Sequence, residues 1–366
     1  MGFAFFKHDT SFDFIGKRRF FYGLAILFCL IGLGNILFGS GLKMGIDFSG
    51  GVVMQVEFQQ PVADEALKTA MSSTGLPGVS TQRYGNDGRE YLLRCSLPED
   101  VTTAEVRTNA ENALLKAFPG NAAQFQRLEV VGPKVGSDLT NKALAALYYA
   151  VLLIAVYISG RFEQRWMAGA VMAAVLWGGM YLLGLLGFSM GWLVLFALAI
   201  TVIICFALKL NFALGAVVGL LHDVFITVGL LSLLGVEIDL NVVAALLTLV
   251  GYSLNDTIIV YDRLRENLRA APSLPLDALI NRSVNQTLSR TVLTSGTTFL
   301  ATLALYLLGG GVIHDFALTM LIGVVIGTES SIYVSSAILL SLGDTEFYVG
   351  QQQRQVYEKP GEHGMV

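Results

Sequence analysis

The sequence predicts an α-helical membrane bundle of eight transmembrane helices, with one small ferredoxin-like α+β domain outside the bilayer. Three observations predict it. The chain is 54% hydrophobic and only 14% charged, with a mean hydropathy of +0.62; soluble domains carry roughly 25% charged residues. Apolar runs long enough to cross a bilayer, about 20 residues, recur at roughly 20–39, 142–160, 166–186, 191–208, 212–234, 240–261, 292–310 and 316–341. A single long polar segment, 41–138, separates the first run from the rest.

The first run follows Lys17-Arg18-Arg19 and is too long for a cleavable signal peptide, so it reads as a membrane anchor. The segment 41–138 reads strand (51–58), helix (62–74), strand (79–84), strand (90–96), helix (102–118), strand (124–131). Its strands alternate, as in Val53-Met-Gln-Val-Glu-Phe58, and Thr102-Thr-Ala-Glu105 offers a capping box. The order βαββαβ suggests a ferredoxin-like sandwich. It holds no cluster of His, Cys or carboxylates, so it is expected to bind or move rather than catalyse.

Lys and Arg in short loops set orientation. The segments before residue 20, at 161–165, at Lys209 and at 262–290 are basic, and the alternate loops 187–190, 235–239 and 311–315 carry no Lys or Arg. Both termini, 1–19 and the tail 342–366, are therefore expected in the cytoplasm and 41–138 in the periplasm. Six spans with re-entrant segments across 186–212 is the alternative to eight. The net charge of −4 leaves no nucleic-acid footprint, and Cys29, Cys95 and Cys205 read as reduced filler.

Within the bundle, 163–187 and 209–235 look alike: Gly169-Ala-Val171 matches Gly215-Ala-Val217, and Leu182-Leu-Gly-Leu-Leu-Gly187 echoes Leu230-Leu-Ser-Leu-Leu-Gly235. A duplicated helix pair at about 164–211 explains the likeness and its matched phase; the bland alternative is that membrane helices rich in Leu, Ala and Gly look alike. Where the second copy has His222-Asp223, the first has Leu176-Trp177.

Asp256 carries the functional argument. An ionised side chain at membrane depth costs about 2.5–3.5 kcal/mol on insertion scales. On a helix over 240–261, Thr248, Tyr252, Asn255, Asp256 and Arg263 recur at three- to four-residue steps and form one polar stripe. On the next span, Arg290 is followed at helical spacing by Thr294 and Thr297. An Asp256–Arg290 pair can load and release a proton as the guanidinium, which does not titrate, leaves and returns; a static salt bridge that fixes helix register is the bland reading. His222 and Asp223 read either as part of this polar interior or as a packing hydrogen bond. In the last span Gly323, Gly327, Ser331 and Ser335 stand four apart, a small-residue ladder for close packing. Glu329 reads as a second proton site or as a group facing a wet crevice. No nucleophile–base set, phosphate loop or metal spacing appears, so neither an enzyme nor a cofactor is expected; Gly309-Gly-Gly311 reads as a turn.

Several blocks, in this order, resemble the SecF branch of the SecD/SecF family, within the resistance-nodulation-division superfamily. They are Gly45-Ile-Asp-Phe-Ser-Gly-Gly51, Val131-Gly-Pro-Lys-Val-Gly136, Gly251-Tyr-Ser-Leu-Asn-Asp-Thr257, Asp262-Arg-Leu-Arg-Glu-Asn267, Gln286–Thr298 and Met320–Thr328. The resemblance implies a bacterial inner-membrane subunit that works with SecD beside the SecYEG channel on a translocating polypeptide, driven by protons and without ATPase chemistry. It places the family's relay residues on Asp256 and Arg290. Two departures stand out: the family has six spans, and a small residue is expected where Glu329 stands. A proton-driven small-molecule efflux subunit of the same superfamily and a non-transporting scaffold are the alternatives.

Overall fold

The structure is a computed structural model and describes residues 10–84, 88–96, 102–309, 311–345 and 347–349. The expected cytoplasmic segments therefore fall partly outside the described residues, at 1–9 and 350–366, as does Gly310 of the glycine turn.

Among the described residues, eight helices are long and apolar enough to span a membrane. They are α1 (Arg18–Phe38), α5 (Pro133–Glu163), α6 (Trp166–Leu185), α7 (Met190–Ala207), α8 (Asn211–Leu234), α9 (Leu240–Ala270), α10 (Leu276–Leu308) and α11 (Gly311–Ser330). The last continues through a π-helical turn (Ser331–Ser335) into α12 (Ser336–Leu342). Several helices outrun the apolar runs that predict them. α10 begins at Leu276 rather than near 292 because Leu276, Leu279, Ile280, Ser283, Val284, Thr287 and Leu288 keep a helical period and bury one face. Hydropathy sees the membrane, whereas the helix is set by packing.

The polar segment folds as predicted. Strands β2 (Gly51–Phe58), β3 (Ser80–Tyr84), β4 (Glu90–Cys95) and β5 (Ala123–Val131) alternate with α3 (Asp64–Ser72) and α4 (Thr103–Ala117). The sheet runs β3-β4-β2-β5, with every neighbour antiparallel, which is the ferredoxin-like order. The Thr102–Glu105 capping box is formed. Alternate residues of β2 (Val52, Met54, Val56 and Phe58) are buried in a core with Leu67 and Met71 of α3 and Val106 and Leu114 of α4.

Short elements join this domain to the bundle. β1 (Lys43–Met44) pairs in parallel with β6 (Glu237–Ile238), the segment that leads into α9. After it, α2 (Ile46–Ser49) ends on Gly50 at φ +72°, a conformation that favours glycine. A Cβ on Gly51 would lie 2.7 Å from the Cys95 carbonyl oxygen, and one on Gly136 of α5 would lie 2.7 Å from that of Phe48. The Gly-Gly motif and the Gly-Pro-Lys-Val-Gly motif thus fit each other as a close backbone joint. The domain also reaches β6 through Arg94, in ion-pair contact with Glu237, and the start of α9 through Asp47, whose Oδ2 accepts the Leu240 N–H at 3.0 Å.

The pair α6–α7 lies between two left-handed non-glycine residues, Gln164 (φ 51°) and Lys209 (φ 55°). Arg165 donates to the Leu208 carbonyl at 2.6 Å and holds the two ends of the pair together. Beside them Glu163, 4% exposed, accepts the Phe212 N–H at 2.9 Å and caps α8, whose own N-cap side chain makes no such bond. All three cysteines are free thiols.

Candidate functional site

Helix α9 is the axis of the polar interior. Counting along it, Ser253, Asp256, Thr257 and Val260 face inward and are buried. Asp256 is 1% exposed. Its Oδ2 accepts from the Ser295 hydroxyl of α10 at 3.2 Å, and its Oδ1 is buried without a hydrogen-bond partner among the described residues. The Thr328 hydroxyl of α11 lies 2.8 Å from Ser295 Oγ and 2.7 Å from the Val324 carbonyl. Each hydroxyl carries one hydrogen and has two partners in reach, so the chain Thr328–Ser295–Asp256 can point toward the carboxyl or away from it.

One turn back along α9, Ser253 donates to Asp223 Oδ2 of α8 at 2.5 Å, and Asp223 Oδ1 meets His222 Nδ1 at 3.0 Å. Ser253 and Asp256 are three residues apart on one helix face, so α9 carries two polar contacts, one toward α8 and one toward α10. Close helix packing permits both. A Cβ on Gly327 of α11 would lie 3.0 Å from Ser253 Cβ and 3.5 Å from Asp223 Oδ2, and one on Gly323 would sit among the Leu249 methyls. Ser331 is buried and bonds back to the Thr328 carbonyl; the Ser335 carbonyl accepts from Tyr261 at 3.0 Å.

The predicted stripes divide. Asp256, Asp223, Gly323, Gly327, Ser331 and Ser335 face the interior, His222 is partly buried with only 8% of its side chain exposed, and Glu329 is half-buried. Thr248 and Asn255 are exposed, and Tyr252 is half-buried with a buried, unpartnered hydroxyl. Arg290 and Thr297 are also exposed, and Thr297 spends its hydroxyl on carbonyls of its own helix; Thr294 is half-buried, with its hydroxyl near its own helix's carbonyls and close enough to act on the Asp256 carboxyl. Among the described residues no ion pair joins Arg290 to Asp256, although the two charges are near enough to act on each other. The expected partner is replaced by Ser295, which the sequence reading missed. Phasing α10 from Arg290 selects 290, 294 and 297, whereas the buried face is 284, 287, 291, 295 and 302. The difference is one residue, about 100° around the helix. The buried hydroxyl series Thr287, Thr291, Ser295 was the available signal.

The family model for the protein export membrane protein SecD/SecF C-terminal region matches residues 110–188 and 185–345, and that for the SecD/SecF GG motif matches 36–62. The chain belongs to the SecF family of protein translocase subunits. A SecF of Magnetococcus marinus is 41% identical over 92% of this chain and 93% of its own length. One of Escherichia coli O157:H7 is 35% identical over 93% and 91%. The crystal structure of SecDF from Thermus thermophilus, described as translocon-associated, superposes with a TM-score of 0.66 at 33% identity. It covers 92% of this chain, which spans 39% of the SecDF chain. The two segments of the SecF family match meet at residues 185–188, inside the stretch that holds α6 and α7.

Proposed function

We propose that this SecF-family chain is the half of a proton-driven export motor that works with SecD beside the SecYEG channel. Both termini lie in the cytoplasm, 41–138 lies in the periplasm, and the bilayer is the bacterial inner membrane. The observation that carries the reading is Asp256. It is a carboxyl in the bundle interior with one oxygen held by Ser295, the other without a partner among the described residues, and a guanidinium on the neighbouring helix. A fixed salt bridge would satisfy the carboxylate; this arrangement leaves it free to change state.

Loading adds a proton from the aqueous side to the Asp256 carboxylate and gives a neutral carboxylic acid. Ser295 then turns from donor to acceptor, with Thr328 as its alternative partner. Arg290 precedes Ser295 by five residues, about 7.5 Å along the α10 axis. Its approach favours the carboxylate and release; its retreat favours uptake. The same helix carries the signal outward. From Asp256 to Leu240 is 16 residues, roughly 24 Å; at Leu240 α9 meets Asp47, and β6 just before it holds Glu237, paired with Arg94 of the domain. A tilt of α9 on loading therefore moves the 41–138 domain, where the emerging polypeptide is handled.

Export of a preprotein into inverted membrane vesicles, measured with and without a proton gradient, tests the reading. Asp256→Asn and Arg290→Ala are expected to abolish the gradient-dependent part while the protein stays inserted and bound to its partner. Normal gradient-dependent export by both variants would remove the proton relay and leave a scaffold.

A further inference from the structure

We propose that His222, Asp223 and Glu329 form a second proton-accepting site in the membrane, on the α8 side of α9, joined to the Asp256 side through Ser253. The inference rests on the proton-driven reading for its part in export, not for its chemistry.

The His222–Asp223 dyad is built to hold a proton. Nδ1 of His222 is 3.0 Å from Asp223 Oδ1, and the other Asp223 oxygen is fixed by Ser253 at 2.5 Å. Both side chains are more than nine-tenths enclosed, at 8% and 1% exposure. With its Nδ1 hydrogen given to Asp223, His222 presents Nε2, which is buried and bonded to nothing among the described residues. A buried ring nitrogen without a partner costs free energy as it stands. A proton taken there makes the imidazolium and leaves the Nδ1–Asp223 bond in place.

Glu329 supplies the route and the balancing charge. It is half-buried on α11, and His222 and Asp223 are the charged groups that act on it. Directly after it the helix passes into the π turn Ser331–Ser335, an irregularity common at functional positions. The surrounding elements bring few other charges. Helix α1 has none after Arg19; α9 brings Ser253, with Asp256 turned toward α10. The α10 charge at this depth, Arg290, acts on Asp256; Tyr333 on the π turn and, on α1, Tyr22 and Cys29 are further titratable groups on the elements packed here. A proton from water first neutralises the Glu329 carboxylate, then passes to His222 Nε2, which restores the carboxylate beside an imidazolium. Release reverses the two transfers.

The test is infrared difference spectroscopy between acid and alkaline pH on the full-length protein in lipid nanodiscs, together with export assays of the same variants in vesicles. A pH-dependent protonated-carboxyl band is expected to persist in Asp256→Asn, to lose its Glu329 component when Glu329→Gln is added, with the components of other carboxyls such as Glu163 and Asp239 left in place, and to regain that component with Glu329→Asp. His222→Gln is expected to move the pH at which that component appears. In vesicles, Glu329→Gln is expected to shift the pH profile of export, with Glu329→Asp restoring it. The proposal is overturned if Glu329→Gln removes no component of the band in the Asp256→Asn background, or if His222→Gln leaves that component's pH dependence where it was. Retention of gradient-dependent export by Asp256→Asn would instead overturn the relay reading, whatever the infrared result.

Discussion

Helices α6 and α8 share sequence but not surroundings. Gly169-Ala-Val171 and Gly215-Ala-Val217 stand at matching places near their starts. Yet α8 packs among α1, α5, α9 and α11, whereas α6 touches chiefly α5 and α7. Leu176 is 3% exposed and Trp177 is 64% exposed; at the corresponding places α8 encloses His222 and Asp223. The difference teaches that ionisable groups stand where neighbours bond them. Asp223 has Ser253 and His222 within reach, while a carboxylate at Trp177 would meet the membrane interior.

Exchanging the two dipeptides breaks or sharpens this comparison most severely. His222→Leu with Asp223→Trp leaves the Ser253 hydroxyl without its acceptor, worth about 1–3 kcal/mol. It also forces an indole into the place where α8, α9 and Gly327 close up, for about 1–3 kcal/mol more. The expected outcome is a large drop in the thermal midpoint in detergent and loss of export. The reverse exchange, Leu176→His with Trp177→Asp, is expected to hinder insertion by about 2.5–3.5 kcal/mol, read by cysteine accessibility at 187–190. Tolerance of both exchanges would show that packing does not explain where the ionisable pair sits.

Glycines give the next contrast. A Cβ on Gly229 of α8 would lie 2.9 Å from Gly32 Cα on α1, whereas Gly178 and Gly179 of α6 have nothing within 4 Å. Gly229→Leu must therefore push α1 off the bundle. Loss of a disulfide cross-link engineered between the two helices, together with a lower thermal midpoint, is the expected result. Gly179→Ala is expected to be neutral, or to stabilise by up to about 1 kcal/mol through helix propensity. Equal sensitivity of the two positions would mean that α6 is covered by a partner on the face that carries Gly179.

The sequence made the fold legible because its signals are local. Apolar run length marks eight spans, and alternation with a capping box marks the α+β domain. Asp256 was legible too, because a carboxylate in an apolar run needs no structure to be noticed. Its neighbours were harder to read. Arg290 is the most polar residue near its span and drew the helical phase to itself, while the inward face of α10 is marked only by hydroxyls that also suit lipid-facing positions. Glu163 caps α8 from 48 residues away in sequence, counting to Asn211, and no periodicity reports a cap delivered by another helix. The exposed polar face of Thr248, Asn255 and Thr297 belongs to neither phase of burial within this chain.

Helix starts give the smallest contrast and the one with a defined pH signature. Ser189 precedes α7 and makes no capping bond, whereas Asp239 precedes α9 and accepts the Val242 N–H at 2.8 Å. Asp239→Ala is expected to cost about 1 kcal/mol and Ser189→Ala close to nothing. Burial pushes the Asp239 carboxyl above its ordinary range, helped by the Asp47 and Asp315 carboxylates and opposed by the bonds from Val242 and Asn241. A folded-state value above the unfolded one contributes stability at low pH, below the ordinary carboxylate range near about 4. That contribution is lost as pH rises through the raised value. Asp239→Asn keeps a good cap and removes the titration. Thermal midpoints of wild type and Asp239→Asn followed against pH should thus separate, with wild type losing stability relative to the variant as pH climbs. Parallel curves would mean that Asp239 stays ionised throughout, with the charge of Arg94 across the domain joint offsetting its burial.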